Sequence, residues 1–296
     1  MGERTRVELG RREDLGADCA SCFGLCCVAL AFARSADFPI DKPAGDPCVH
    51  LDDADGCRIH PRLRERGFKG CTVFDCFGAG QKVSRHTFAG RSWRDDAGAR
   101  EAMFATFPVV RRLHELLWYL DDAATLVQDH RDAAPWLEAF ERVRRLSDGT
   151  AAELLRLDVD AEYDAVRGLL VEASEIARAG IPAPEGRPGG RPGECSGRHS
   201  LEPGADLIGA ELANADLRGV TIRGSVAIAA DLSGARLGLC DVLGVDLRDA
   251  DLSGAQLDGA IYLTQMQVNS ARGDSRTSLP AGFQRPAHWA QGPTAG

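Results

Sequence analysis

From Ala205 to Thr264 the sequence repeats every five residues. The stretch divides into twelve pentapeptides, beginning with Ala205-Asp-Leu-Ile-Gly209 and ending with Ala260-Ile-Tyr-Leu-Thr264. The third position is Leu, Ile or Val in ten of the twelve, with Ala227 and Tyr262 as exceptions, and the first is Ala in eight. A period of five matches neither the turn of an α-helix nor the alternation of a strand. It suits a solenoid in which each pentapeptide makes one face, with a column of aliphatics and a column of small residues turned inward. Cys240 falls in the small inward column and reads as a packing residue.

These units resemble the A-(D/N)-L-x-x motif of the pentapeptide-repeat family. The resemblance implies a right-handed quadrilateral β-helix with four pentapeptides per coil, hence about three coils, and a tail from Leu263 to Trp289 that caps its open end. Some members of that family bind topoisomerases by mimicking DNA. Three coils at about 4.8 Å each make a rod of only about 14 Å, short for that role.

The other constraint is cysteine. Eight of the ten lie between Cys19 and Cys76. Met1 to Asp18 is charged and has no apolar stretch of an export signal, and the longest apolar run, Leu25 to Ala33, is nine residues, too short to span a membrane. The expectation is a cytoplasmic protein, where clustered cysteines serve metals more often than disulfides. Cys19 and Cys22 are spaced to converge on one ion through a tight turn, and Cys48, Cys57, Cys71 and Cys76 can complete shells and close loops. Cys26 and Cys27 are adjacent, so their side chains are expected to diverge and to serve different metals, or only one to ligate. Disulfides, or a redox-active pair at Cys19 and Cys22, are the competing readings; the redox one lacks a βαβ context. His50 and His60 are expected behind the ligands or at the surface. Asp52, Asp53 and Asp55 form an acidic turn that reads as solvated.

Residues 19–76 resemble the CxxCxxCC zinc- or iron-chelating family. The matching parts are Cys19 to Cys27, Cys48 to Leu51, Gly56 to Ile59 and Cys71 to Cys76. The longer insert after His60-Pro61-Arg62 departs from the family pattern. The resemblance implies that Cys19, Cys22, Cys26, Cys27, Cys48, Cys57, Cys71 and Cys76 bind zinc or an iron–sulfur cluster.

The chain thus reads as a multidomain α+β protein: a Cys-rich metal-binding module at 1–94, a small helical bundle at 95–180, a Gly/Pro linker at 181–200 that carries Cys195, and the repeat with its C-terminal cap at 201–296. Helical stripes run through Val110, Leu113, Leu117, Leu120 and Ala124, through Trp136, Phe140 and Val143, and through Tyr163, Val166, Leu170 and Ala173. Pro108 is expected in the first turn of the first helix or at a kink before it. Asp158 or Asp160 is expected to cap the third.

The net charge is −9, but residues 1–94 hold 15 basic and 13 acidic residues, 95–200 hold 13 and 20, and 201–296 hold 7 and 11. No segment has the concentrated basic character of a nucleic-acid binder. No Ser-His-Asp set or paired carboxylates stand out. Gly78 to Ser84 departs from the phosphate-loop pattern. The leading expectation is a metal-bearing interaction protein whose repeat surface meets a protein partner, with homodimerisation left open. An iron–sulfur redox or modifying enzyme is the alternative, and a topoisomerase-binding DNA mimic ranks below it.

Overall fold

A computed structural model describes residues 10–181 and 200–290, so Cys195 lies outside the described residues. The chain divides into two compact units, Met1–Leu170 and Val171–Gly296.

The first unit begins with short elements: a turn of 3-10 helix at Cys19–Ser21, α1 (Leu25–Val28), α2 (Lys69–Val73) and α3 (Ala79–Gln81), which runs into a π-helical turn at Lys82–Thr87. Two isolated antiparallel bridges, Phe32 to Lys42 and Leu51 to Cys57, join the loops. The apolar contents of the loops are a small cluster of Ile59, Leu63 and Phe68, flanked by Phe32, Phe38 and Ile40. A core this small cannot order such a segment alone.

The helices that follow are α4 (Ala97–Val127), α5 (Ala134–Ser147), α6 (Ala151–Leu154) and α7 (Val159–Arg178). Val110, Leu113, Leu117, Leu120 and Ala124 of α4 are at most 2% exposed, and α4 packs along α5, whose Trp136, Phe140 and Val143 are buried. Pro108 lies inside α4, not in its first turn. The helix starts earlier because the Asp96 carboxylate accepts from the Gly98 and Ala99 amides at 2.8 and 3.2 Å. One proline then costs a single backbone bond in a long, well-packed helix. Asp158 caps α7, accepting from the Ala161 amide at 3.1 Å.

In the second unit the repeat advances by 20 residues per coil: Asp206 bridges Val226, Glu211 bridges Asp231, and the series continues to Asp241 with Ile261, all parallel. At each rung the Val226-type amide donates backward, as Val226 N to Ala205 O at 3.0 Å, and its carbonyl accepts, as from Leu207 N at 2.9 Å. The first- and third-position side chains fill the interior, Cys240 among them at 0% exposure.

The expected α+β class with a right-handed quadrilateral β-helix is overturned. Among the described residues there is no β-strand; outside the helices the chain is turns and loops joined by single-residue bridges. The cause lies in the fifth position. Every fifth residue from Gly209 to Gly259 has a positive φ of 55 to 75°, including the non-glycines Asn214, Ala229, Leu239 and Asp249. A left-handed residue in each unit turns the chain before a second residue can pair.

Below the last full coil, α8 (Gln265–Ser270) lies across the end of the repeat. Thr264 and Gln267 form a capping box, and the Gln267 amide donates to the carbonyls of Val242 and Val245 at 2.8 and 3.0 Å. Trp289 is 2% exposed and donates from Nε1 to Ala271 O at 3.0 Å. These contacts satisfy backbone groups that the next coil would otherwise meet.

Candidate metal centre

All eight cysteines from Cys19 to Cys76 are free thiols. The Cys19 turn is held by Asp18, whose carboxylate accepts from the Ala20 amide at 3.1 Å. Gly24 enters α1 at a φ of 68°, and a Cβ there would meet Leu51 Cδ1 at 2.7 Å and Asp55 O at 3.1 Å. Only glycine meets both demands. α1 then presents Cys26 and Cys27, whose sulfurs lie 4.0 Å apart. The expected divergence of this pair is therefore corrected: one helical turn brings both sulfurs together. The neighbouring Cys27 thiol lowers the Cys57 thiol to about 6. The Cys48 amide donates to Cys27 O at 2.9 Å, which sets Cys48 beside the same turn.

A second approach lies at Gly80. A Cβ built there would fall 2.7 Å from Cys22 Sγ and 3.9 Å from Cys76 Sγ. Burial pushes the thiols of Cys22 and Cys71 up to about 12 and that of Cys19 to about 11, and raises Cys76 as well. The charges of Cys26 act on each of these four thiols. Thiols that resist ionisation through burial are those that a soft cation can convert to thiolates.

Long-range contacts hold this arrangement. From α4, Arg111 Nε donates to Asp75 O at 3.0 Å and His114 Nδ1 to Phe77 O at 2.7 Å, one on each side of Cys76. Gln81 accepts from the Asp18 amide at 3.1 Å and donates to Gly16 O at 2.7 Å. Ser84 Oγ accepts from the Phe23 amide at 3.1 Å, and Trp93 Nε1 donates to Phe23 O at 2.9 Å. Sequence reasoning missed Arg111, His114, Gly80, Gln81, Ser84 and Trp93 in this role, because each acts on residues distant in sequence.

Other candidates fall away. His50 packs edge-on against Phe68 with ring centroids 5.1 Å apart, and His60 is exposed. Asp52 holds the amides of Ala54 and Gly56 at 2.9 and 2.8 Å, and Asp55 pairs with Arg94 at 3.0 Å. Lys82 pairs with Asp148, so Gly78 to Ser84 keeps no free lysine for a phosphate.

Among the described residues no three or more His, Cys, Asp or Glu side chains are placed so as to hold a metal ion. The residues nonetheless fit a thiophilic metal in donor type. Tetrahedral ligation at about 2.3 Å per zinc–sulfur bond places sulfurs about 3.8 Å apart. The 4.0 Å between Cys26 and Cys27 is close to that edge.

The 20-residue advance and the inward columns are those of pentapeptide repeats, and the pentapeptide-repeats family matches residues 203–227 and 228–261 with eight copies. Beyond the repeat, the chain is 46% identical over 281 residues to the uncharacterized protein YybG of Bacillus subtilis (strain 168), covering 93% of this chain and 95% of that protein. The chain belongs to the family of YybG. Among the described residues no helix is long and apolar enough to cross a membrane.

Proposed function

We propose that this is a metal-bearing interaction protein. Cys19, Cys22, Cys26, Cys27, Cys48, Cys57, Cys71 and Cys76 hold zinc or an iron–sulfur cluster, and the pentapeptide surface meets a protein partner. The observation that carries the reading is the set of eight free thiols, with 4.0 Å between the sulfurs of Cys26 and Cys27, in a segment whose apolar cluster is minimal. Zinc would cross-link that segment in place of a core; an iron–sulfur cluster would add an electron-transfer centre.

The repeat surface supports a protein partner more than a nucleic-acid or DNA-mimic role. Some of its charges are paired: Asp216 with Arg218 at 2.8 Å and Arg236 at 2.7 Å, and Asp246 with Arg248 at 2.7 Å. Ile208 and Val226, on successive coils of one face, stand 54% and 37% exposed. Exposed aliphatics on a regular face favour a protein contact.

Chelation tests the metal half. Hydrogen exchange should show residues 19–76 losing protection on metal removal while residues 205–264 keep theirs. Cys22→Ser and Cys71→Ser should each lower bound metal, and Cys240→Ser should not. Unchanged protection of residues 19–76 after complete chelation would contradict the reading.

A further inference from the structure

Lys42 is the one Lys or Arg buried among the described residues, at 5% exposure. Its ammonium group donates to Val28 O at 3.2 Å, Pro43 O at 2.9 Å and Asp46 O at 2.8 Å. Three donors meet three acceptors, so its hydrogen bonding is complete. Its charge is a separate matter. Carbonyls orient an ammonium group but carry no net charge, and a buried cation needs a nearby anion. Among the described residues no carboxylate forms an ion pair with Lys42. Burial is the strongest influence on its charge and lowers its pKa; Cys48 and Cys27, then Asp46, whose side chain is exposed, and Cys26 act the other way. Neutral thiols or disulfides at these positions would leave the buried ammonium without a buried counter-charge.

The carbonyls that Lys42 gathers are also informative. Val28 follows Cys27 directly, and Asp46 stands two residues before Cys48. Lys42 thus ties the Cys26–Cys27 turn to the Cys48 segment, beside the Cys48 N to Cys27 O bond of 2.9 Å.

We infer that the module holds its metal as a net-anionic thiolate centre, with Lys42 as the buried counter-cation that positions Cys26 and Cys27 against Cys48. This rests on the metal reading of the module. A divalent ion that takes four thiols releases four protons and leaves the centre with a net double negative charge. Lys42 lowers the cost of holding that charge out of water. It is a positioning residue, not a ligand.

The test uses the full-length chain and zinc as the probe. Native mass spectrometry of the zinc-loaded protein counts displaced protons, and more than two should leave per zinc. Lys42→Gln keeps donors for the carbonyls and removes the charge; it should bind zinc about 10- to 100-fold more weakly in chelator competition. Lys42→Arg, which keeps the charge, should recover most of that loss, which a purely steric role for Lys42 does not predict. Equal zinc affinity in Lys42→Gln, or two protons or fewer displaced per zinc, overturns the inference. If Lys42→Gln fails to fold, the proton count on the unmodified chain decides. A folded, unmodified chain that takes up no zinc overturns the metal reading itself, and the inference with it.

Discussion

Gly80 shows how much a single missing methyl group can control. Its backbone is ordinary, so Ala there would favour the local helix by up to about 1 kcal/mol. Yet the added Cβ would fall 2.7 Å from Cys22 Sγ. Gly80→Ala should therefore reduce bound metal per chain while leaving α4 and α5 intact by circular dichroism; full metal occupancy would remove Gly80 from the site. His114 acts from the other side of Cys76. Burial holds its imidazole down at about 4 against an ordinary 6.5. Between those values the unfolded chain takes the proton and the folded chain does not, so this group's stability contribution is present above pH 6.5 and is lost as pH falls toward 4. The loss amounts to about 3 kcal/mol. His114→Gln, which can still donate to Phe77 O, should flatten the dependence of urea midpoint on pH across that window; an unchanged slope would contradict the assignment. Neither residue was legible as part of the site. Gly80 and His114 reach it through contacts far apart in sequence, whereas spacing reports only near neighbours. The cysteines were legible as a set, but the approach of Cys26 to Cys27 was not, because it depends on the turn that Gly24 starts.

At the scale of elements, the repeat was legible in one respect and misleading in another. Its inward columns follow directly from the period, and Leu207 through Leu257 fill them. The absence of strands depends instead on the positive φ of each fifth residue, which Ala229 and Leu239 adopt against their own preference. The second position, exposed or half-buried in most units, is put to a different use at Asp241. Its carboxylate is fully buried, paired with Arg223, and accepts from Ser174 Oγ of α7 at 2.6 Å. Arg178 Nε in turn donates to Ser174 Oγ at 3.0 Å. Asp241 thereby ties the end of α7 to the repeat within the second unit. Asp241→Ala leaves a half-buried guanidinium and a buried hydroxyl without their acceptor, and should cost about 2–3 kcal/mol in urea unfolding. Asp231→Ala, at the equivalent but exposed position, should cost about 0.5 kcal/mol. Equal costs at the two sites would show that Asp241 does not hold the helix.

Across the whole molecule, stability comes from different sources in different segments. The helices bury continuous apolar stripes and the repeat buries two columns, but residues 19–76 have neither. What they have is thiols, a buried lysine and a scaffold of hydrogen bonds from α3 and α4. Cys240 belongs to packing, and Cys195, outside the described residues, should be replaceable by Ser without change in metal content. The net charge of −9 says little about the repeat, because most of it lies in residues 95–200, and Asp216 and Asp246 of the repeat pair with arginines on the same surface. The central claim is that metal takes the place of a core in the cysteine module. Metal content and the absorption spectrum of anaerobically purified full-length protein test it most directly. Tightly bound zinc, or iron with charge-transfer bands in the visible, is expected at one or more ions per chain. A folded preparation whose cysteine module is protected from exchange while holding no zinc and no iron would contradict it.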